Sequence, residues 1–436
     1  MSELRDLSKM LLRIADFEQG TMPPKEFTLV VDRLEIGNIK VNNVPLKASY
    51  DRHLRLYFSH ELEAKFFTFI ANDSEIKIID HTFREPISLI PTSVSSNSDT
   101  QTLVRMMPRV QPMLIDLKEE AYTVEAILVN WPNLFFKGRE HSFEAGDVKI
   151  TIREFESASD MRNQANSLKF ETIATGSLVL QKKDGTSISA KDALNRINNF
   201  ARFFTFVRGG YCGLGNVLGA AENGELVFSY LGFTKIDPFS ISTGWCDIEI
   251  IGFLPEIYEK YQQAIADKQN TFALLRAIEF YRASNIARES SVEMALVASH
   301  AALETLVPHV LSIQGGWSDA LIKNTRRFHD KLRAAANFIR LDSDLLEHSP
   351  EVRKRAKKEG NMDAFELLSK FRNRIVHADK NFNVTGQELM EIWQFSQWLC
   401  EIIIFYLMNY RGKMYDRRRY TGFRGPAKCV PLPKGL

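Results

Sequence analysis

The spacing of apolar residues changes near residue 254, and this change constrains the fold more than any other feature of the chain. Before it, short runs alternate apolar and polar residues, as half-buried β-strands do. After it, apolar residues recur every three or four positions, which is typical of amphipathic helices. The sequence therefore predicts an α+β multidomain protein. We expect a β-rich domain at 1–265, an all-α helical-bundle domain at 266–410 and a basic tail at 411–436.

Runs rich in β-branched and aromatic residues predict the strands of the first domain. They lie at 26–36, 54–59, 75–80, 121–129, 148–155, 176–181, 225–232 and 246–253. Segment 37–43 is turn-like, and the Ser/Asn/Asp/Thr cluster at 93–100 predicts a loop. A helix is predicted at 190–207. The glycine-rich segment 208–219 follows, and it fits neither G-x-G-x-x-G nor a P-loop, so we interpret its glycines as turn and packing positions.

The helical pattern predicts six segments from residue 254 onward. They span 254–266, 270–287, 291–311, 317–339, 363–378 and 386–410. Thr385 and Glu388 have the spacing of a capping box at the start of the last helix. The charged stretch 342–361 is expected to be a surface connection.

Composition, cysteine spacing and the chain start argue against a metal-binding, a secreted and a membrane-spanning protein. The 436 residues are enough for two cores, and 56 basic against 54 acidic residues leave a net charge of only +2. The four cysteines are far apart and form no CxxC pair, so we expect no metal site and reduced thiols. The chain start lacks the apolar core of a signal peptide, and no run approaches the ~20 apolar residues of a membrane span. We expect a cytoplasmic protein without a membrane segment.

The decapeptide FRNRIVHADK, residues 371–380, carries the clearest chemistry. Asn373 and His377 are four residues apart, on the polar side of the predicted helix, and Arg372 lies at the edge of its apolar stripe. That stripe consists of Ala364, Leu368, Phe371, Ile375 and Ala378. An arginine, an amide and a histidine can bind phosphate and transfer protons without a metal. The alternative is that they are ordinary solvated residues of a helix.

The Arg372-Asn373-x-x-x-His377 pattern resembles the signature of HEPN domains, all-α modules many of which are ribonucleases. HAALETL, residues 300–306, is similar to a stretch of an early HEPN helix. This resemblance makes Glu304 the candidate support of the Arg/His pair, with an exposed helix glutamate as the alternative. The resemblance covers roughly 270–410. The β-rich front also resembles the N-terminal region of ApeA-type anti-phage HEPN proteins, although the cysteine cluster that these can carry is absent.

The resemblance implies a metal-independent endoribonuclease that acts in anti-phage defence by abortive infection and needs no cofactor. His377 would be the general acid/base, Arg372 would brace the phosphate, and Asn373 would orient the phosphate or His377, while a 2′-OH attacks the adjacent phosphate. One motif per chain implies a homodimer through the helical domain. RNA, with tRNA among the candidates, would be the substrate, and a phage-derived trigger would act on the β-rich domain.

The basic tail offers further candidate RNA contacts. Arg417, Arg418 and Arg419 can neutralise phosphates, and Tyr420 can stack on a base. The alternative is a solvated or self-docking tail. Two other functions stay open at this point: a catalytically inactive HEPN module that binds nucleic acid or nucleotide, and a sensor whose helical part only transmits a signal.

Overall fold

The computed structural model describes residues 27–50, 55–63, 75–80, 85–96, 101–109, 113–116, 120–132, 140–158, 160, 162, 172–238, 244–246, 248–341, 344–419 and 430–431. Contacts divide the chain into a first unit, Met1–Ala201 with Cys212–Ser240, and a second unit, Arg202–Tyr211 with Ile241–Leu436. The first is β-rich and the second helical, so the predicted α+β class is confirmed. The change of unit comes earlier than residue 265.

Strands of the first unit close into an antiparallel barrel with the order β1-β2-β3-β6-β5-β4. They are β1 Phe27–Ile36, β2 Ile39–Tyr50, β3 Leu56–Glu63, β4 Ile76–Ile79, β5 Ile87–Ser96 and β6 Gln101–Pro108. Strand β2 was missed in the sequence because 37–43 looks like one long turn. The turn is only two residues long, with Gly37 at φ +56°, and Ile36 pairs directly with Ile39.

The second half of β2 shows how the barrel is filled. Val44, Leu46, Ala48 and Tyr50 are buried, and the residues between them are exposed or half-buried. This period-2 pattern places one face of the strand in the apolar interior. The loop expected at 93–100 is in part the end of β5, and 97–100 lie outside the described residues.

A larger antiparallel sheet follows, with the order β10-β11-β12-β9-β14-β15-β7. Its strands are β7 Met113–Asp116, β9 Thr123–Val129, β10 Glu140–Ala145, β11 Val148–Glu154, β12 Ala174–Lys182, β14 Gly213–Ala220 and β15 Leu226–Phe233. Strand β8, Glu120–Ala121, pairs separately with β13, Ile188–Ser189. Helix α1, Ala190–Arg208, begins at the predicted residue.

The glycine-rich segment is mostly strand β14, which supports the packing interpretation. A Cβ on Gly215 would lie 2.0 Å from the Phe233 ring, and one on Gly219 would lie 2.4 Å from the Phe228 ring. Glycine is needed because the aromatic rings of β15 lie flat against the β14 backbone.

The second unit consists mainly of helices. They are α2 Leu254–Ala266, α3 Lys268–Ala287, α4 Val292–Ile313, α5 Asp319–Asn324, α6 Phe328–Phe338, α7 Pro350–Lys358, α8 Ala364–Val376 and α9 Gly386–Leu407. Short strands β16, Lys413–Met414, and β17, Val430–Pro431, pair near the end of the chain. Helix α4 packs against α3, α6, α8 and α9, so it is the central helix of the unit.

Three predictions in this unit were wrong. The expected strand at 246–253 is a 3-10 helix, Ile248–Phe253, because a short apolar run does not distinguish strand from helix. The expected helix at 317–339 is divided into α5 and α6, and Arg327 between them is extended. Helix α7 replaces part of the expected surface connection at 342–361.

Helix α4 is, among the described residues, the one helix long and apolar enough to cross a membrane. Of its most apolar window, 56% is buried inside the protein, which is the pattern of a core helix. Its burial against α3 and α9 provides the frame on which α8 is held.

Candidate functional site

Helix α8 positions the Arg-Asn-x-x-x-His motif. A capping box fixes its start: the Asp363 carboxylate accepts from the Glu366 N–H at 2.8 Å, and Glu366 accepts from the Asp363 N–H at 3.4 Å. Leu368 and Phe371 are buried as predicted, as is Ala364. These contacts hold the helix and thereby fix the direction of its polar side.

The helix ends earlier than predicted, at Val376. His377 is the C-cap residue, and its N–H donates to the Asn373 carbonyl at 3.0 Å. Ala378 has φ +48°, so it leaves the helix and is exposed instead of joining the core stripe. Ile375 is only half-buried. His377 nevertheless lies one turn beyond Asn373, as predicted.

The segment after His377 folds back on the helix. The Phe382 ring meets the buried Phe371 ring edge-on, with 5.2 Å between centroids. The Asp379 N–H donates to the Arg374 carbonyl at 3.0 Å, and the two side chains are 3.5 Å apart. The contacts of Phe382 with Phe371 and of Asp379 with Arg374 therefore hold the turn that carries His377 against α8. The His377 ring itself is exposed and makes no hydrogen bond or ion pair with a described residue.

Arg372 is held between two predicted site residues. Its Nη1 donates to Oδ1 of Asn373 at 3.1 Å, and its Nη2 lies 3.6 Å from Oε1 of Glu304 on α4. The Arg372 side chain is 28% exposed and that of Glu304 is 44% exposed. The structure thus brings Arg372, Asn373 and Glu304 together, although 68 positions separate Glu304 from Arg372 in the chain.

His300 joins this group and was missed. Its ring is buried, packs against Phe328 with 4.6 Å between centroids, and places Nδ1 3.3 Å from Oε1 of Glu304. The contact is close but poorly aligned, so within the described residues neither ring nitrogen has a regular hydrogen bond. The i,i+4 spacing of His300 and Glu304 was the sequence signal that could have revealed it.

The pKa of Glu304 is lowered by this environment. The contact with His300 is the largest cause, and the positive charges of Arg372 and Lys331 lower the pKa further, while partial burial opposes them. Glu304 therefore carries its negative charge at neutral pH and attracts the Arg372 guanidinium. A carboxylate in this place can orient the arginine, whose side chain stays 28% exposed.

The three arginines of the tail do not form a surface patch. Arg417 and Arg418 are buried, and each is paired with a carboxylate of the second unit: Arg417 with Glu401, and Arg418 with Asp416 at 2.8 Å. Their predicted role as RNA contacts is therefore not supported by their position. Arg419 is 46% exposed, and Tyr420 lies outside the described residues.

In the described part of the chain, no group of three or more His, Cys, Asp or Glu side chains could hold a metal ion. Cys212 and Cys400 are buried and Cys246 is half-buried, none of them forms a disulfide with a described residue, and Cys429 lies outside the described residues.

Two domain models of known proteins match the chain, a central domain first and a C-terminal domain after it. Residues 119–242 match the model of the YopA central domain, and residues 267–425 match the model of the YopA C-terminal domain. The first contains most of the seven-stranded sheet, the second contains α3–α9, and the barrel strands precede both. No curated protein and no solved structure matches the chain significantly. Neither matched description mentions HEPN or a nuclease, so that resemblance stays a prediction.

Proposed function

We propose that the helical unit is a metal-independent HEPN-type endoribonuclease with Arg372, Asn373 and His377 as its site. One observation carries the proposal: the Arg372 guanidinium is held between Asn373 and Glu304, and the exposed His377 follows one turn later. These contacts support the proposal, because an arginine can bind phosphate, a histidine can transfer protons, and both lie at one accessible helix end.

The chemistry assigns a role to each side chain. The planar fork of Arg372 can bind two oxygens of a scissile phosphate and its developing charge. His377 can remove the proton of a 2′-OH or donate one to the leaving 5′-oxygen. The 3.6 Å contact between Arg372 and Glu304 is exposed, and such pairs contribute about 0–1 kcal/mol. A phosphate can therefore compete with Glu304 for one side of the guanidinium.

A homodimer through the helical unit completes this proposal. In-line displacement needs proton removal and proton donation on opposite sides of phosphorus, which a single histidine on a rigid turn cannot easily provide. Val376, directly before His377, is 47% exposed, and apolar exposure beside the motif suits a contact between two chains. We further propose a cytoplasmic role in anti-phage defence by abortive infection, with RNA as substrate and the β-rich unit receiving the trigger.

Cleavage of RNA by purified protein tests the proposal. Wild type should cut without divalent metal and leave a 2′,3′-cyclic phosphate or 3′-phosphate, whereas His377→Ala and Arg372→Ala should be inactive. His348→Ala is the matched control, because His348 also belongs to the helical unit but its ring contacts Glu347 instead of a motif residue. Near-wild-type cleavage by a folded His377→Ala protein would refute the assignment.

Mixing tests the dimer. Heterodimers of Arg372→Ala and His377→Ala subunits should differ in activity from both parents if each site uses two chains. A monomer that stays fully active at nanomolar concentration would exclude the shared site.

A second candidate function is a catalytically inactive HEPN module that binds nucleic acid. The specific observation in its favour is that Glu304 already occupies one side of Arg372. Under this alternative RNA binds to the wild type, the bound RNA stays intact, and the Glu304→Gln variant binds it more tightly.

A further inference from the structure

A cavity of about 500 Å³ lies in the second unit, between the end of α1 and the first half of α3. Its size is within the range of ligand sites, which are commonly about 300–1,000 Å³. It lies apart from the Arg372 motif: its lining comes from residues 202–205 and 268–279, and none of the proposed catalytic residues contributes to it.

The charges in this lining are mostly positive. Arg202, Lys268 and Arg276 are exposed, and none forms an ion pair with a described residue; Arg276 lies over the Phe280 ring at 4.6 Å. Glu279 is the one acidic residue among the lining residues, and its carboxylate accepts a hydrogen bond from the Tyr211 hydroxyl. Three cations therefore face the cavity with little compensation.

The acidic neighbour of Lys268 is already engaged. The carboxylate of Asp267 caps α3, accepting from the Gln269 N–H at 2.9 Å and from the Asn270 amide at 2.8 Å. Its negative charge is thereby held at the helix start, where it satisfies backbone donors. Among the described residues, Lys268 therefore has no ion-pair partner, and its ammonium is available to another anion.

Phe272 lies between Lys268 and Arg276 along α3. Its side chain is 78% exposed, more than any other large apolar side chain among the described residues. Lys268, Phe272 and Arg276 are spaced four residues apart, so they form one strip along α3, about 12 Å from first to last. A flat apolar surface flanked by cations matches a ligand with an aromatic ring and phosphate groups.

We propose that this cavity binds a free nucleoside polyphosphate, with its base stacked on Phe272 and its phosphates held by Arg202, Lys268 and Arg276. An apolar peptide would leave three cations unpaired. An inorganic anion would leave Phe272 exposed to water. The proposal does not depend on ribonuclease activity, because neither the site nor its test involves Arg372 or His377.

Binding of a fluorescent N-methylanthraniloyl-ATP to the full-length protein, followed by anisotropy, tests the proposal. We expect saturable binding that unlabelled ATP displaces. Phe272→Ala should weaken binding about tenfold or more, because base–aromatic stacking contributes that much in single-strand sites. Lys268→Gln and Arg276→Gln should weaken it and reduce its dependence on salt. Thermal melting shows whether each variant is folded.

Matched controls come from the same unit. Lys323→Gln removes an exposed lysine from α5, and Met294→Ala removes a side chain of α4 that is 58% exposed. Both should bind the probe like wild type. Equal losses in Phe272→Ala and Met294→Ala, or no loss in Phe272→Ala, would overturn the proposal, as would the absence of saturable binding.

Competitors identify the source of the ligand. Adenosine and inorganic tripolyphosphate should each displace the probe much less well than ATP, since each offers half of the interaction. An oligoribonucleotide should compete no better than ATP at equal nucleotide concentration. If it competes far better, and Phe272→Ala abolishes that advantage, the site takes an RNA strand and the free-nucleotide proposal is wrong.

Discussion

Two basic segments of the helical unit look alike in the sequence and differ in the structure. Arg372 lies at an accessible helix end, 28% exposed and 3.6 Å from a half-exposed glutamate. The side chain of Arg417 is 5% exposed and contacts Glu401, which is fully buried. An exposed arginine with a loose partner can exchange that partner for a phosphate. A buried arginine such as Arg417 cannot, because moving it toward a phosphate would leave the Glu401 carboxylate unpaired inside the protein.

The buried arginine is held by a network rather than by one contact. Nε of Arg417 donates to Glu401 at 2.9 Å, and Nη2 donates to the Tyr281 hydroxyl at 2.7 Å. The Tyr281 hydroxyl in turn donates to Glu401 at 2.6 Å. Beside it, Arg418 stacks over Trp398 with 3.6 Å between its guanidinium carbon and the ring centroid. Residues 416–418 are thus part of the helical core.

Truncation of Arg417 is the strongest test of this difference between the two arginines. Arg417→Ala should destabilise the protein by about 3–5 kcal/mol, because Glu401 would be left buried without its partner. The measurement is urea unfolding followed by the helical circular dichroism signal. Arg419→Ala, at a neighbouring exposed position, should change stability by no more than about 0.5 kcal/mol. If both variants unfold alike, Arg417 is not buried as described.

Phe371→Ala tests the support beneath the exposed motif. Phe371 is 1% exposed and packs against Phe382, so its truncation should destabilise by about 3 kcal/mol or more. It should also reduce RNA cleavage in the folded fraction, because the turn that carries His377 loses its anchor. An unchanged unfolding midpoint would mean that α8 faces the core differently.

Glu304→Gln should have a smaller and pH-dependent effect. The pKa of Glu304 is lowered in the folded state, chiefly by the His300 contact, so the unfolded state binds a proton at higher pH than the folded state. The stabilisation is therefore complete above the ordinary glutamate pKa of about 4.3 and is lost as the pH falls through the lowered value.

Because the Glu304 side chain is 44% exposed, we expect a loss below about 1 kcal/mol at pH 7. The difference between wild type and variant should shrink when unfolding is measured from pH 6 down to about pH 3. A difference that grows in acid would show that the contact is not with the ionised carboxylate.

His377→Ala should have the smallest effect on stability, within about ±0.5 kcal/mol, because the ring has no described partner and lies at the surface. Thermal melting next to wild type measures it. A large loss would mean that His377 has a structural role, which would remove the simplest interpretation of an inactive variant.

Much of the fold was predictable because periodicity is a local property. Helix α2 has the predicted limits, α8 begins one residue after its predicted start, and α9 begins directly after the predicted cap Thr385. The cap of helix α7 comes instead from another helix: the Glu391 carboxylate of α9 accepts from the N–H groups of Glu351 and Val352 at 2.9 and 3.0 Å. No local pattern could reveal that cap.

By itself, the sequence determined the order of a β-rich and a helical unit, the buried face of α8, and the placement of Asn373 and His377 one turn apart. These features depend on residues close together in the chain. Only the tertiary structure decided which charges are inside. Arg417 reaches Tyr281 across 136 positions, and Arg372 meets Glu304 on α4. The physical reason is that a charge is retained in the interior only where distant partners replace water, and sequence neighbours do not reveal those partners.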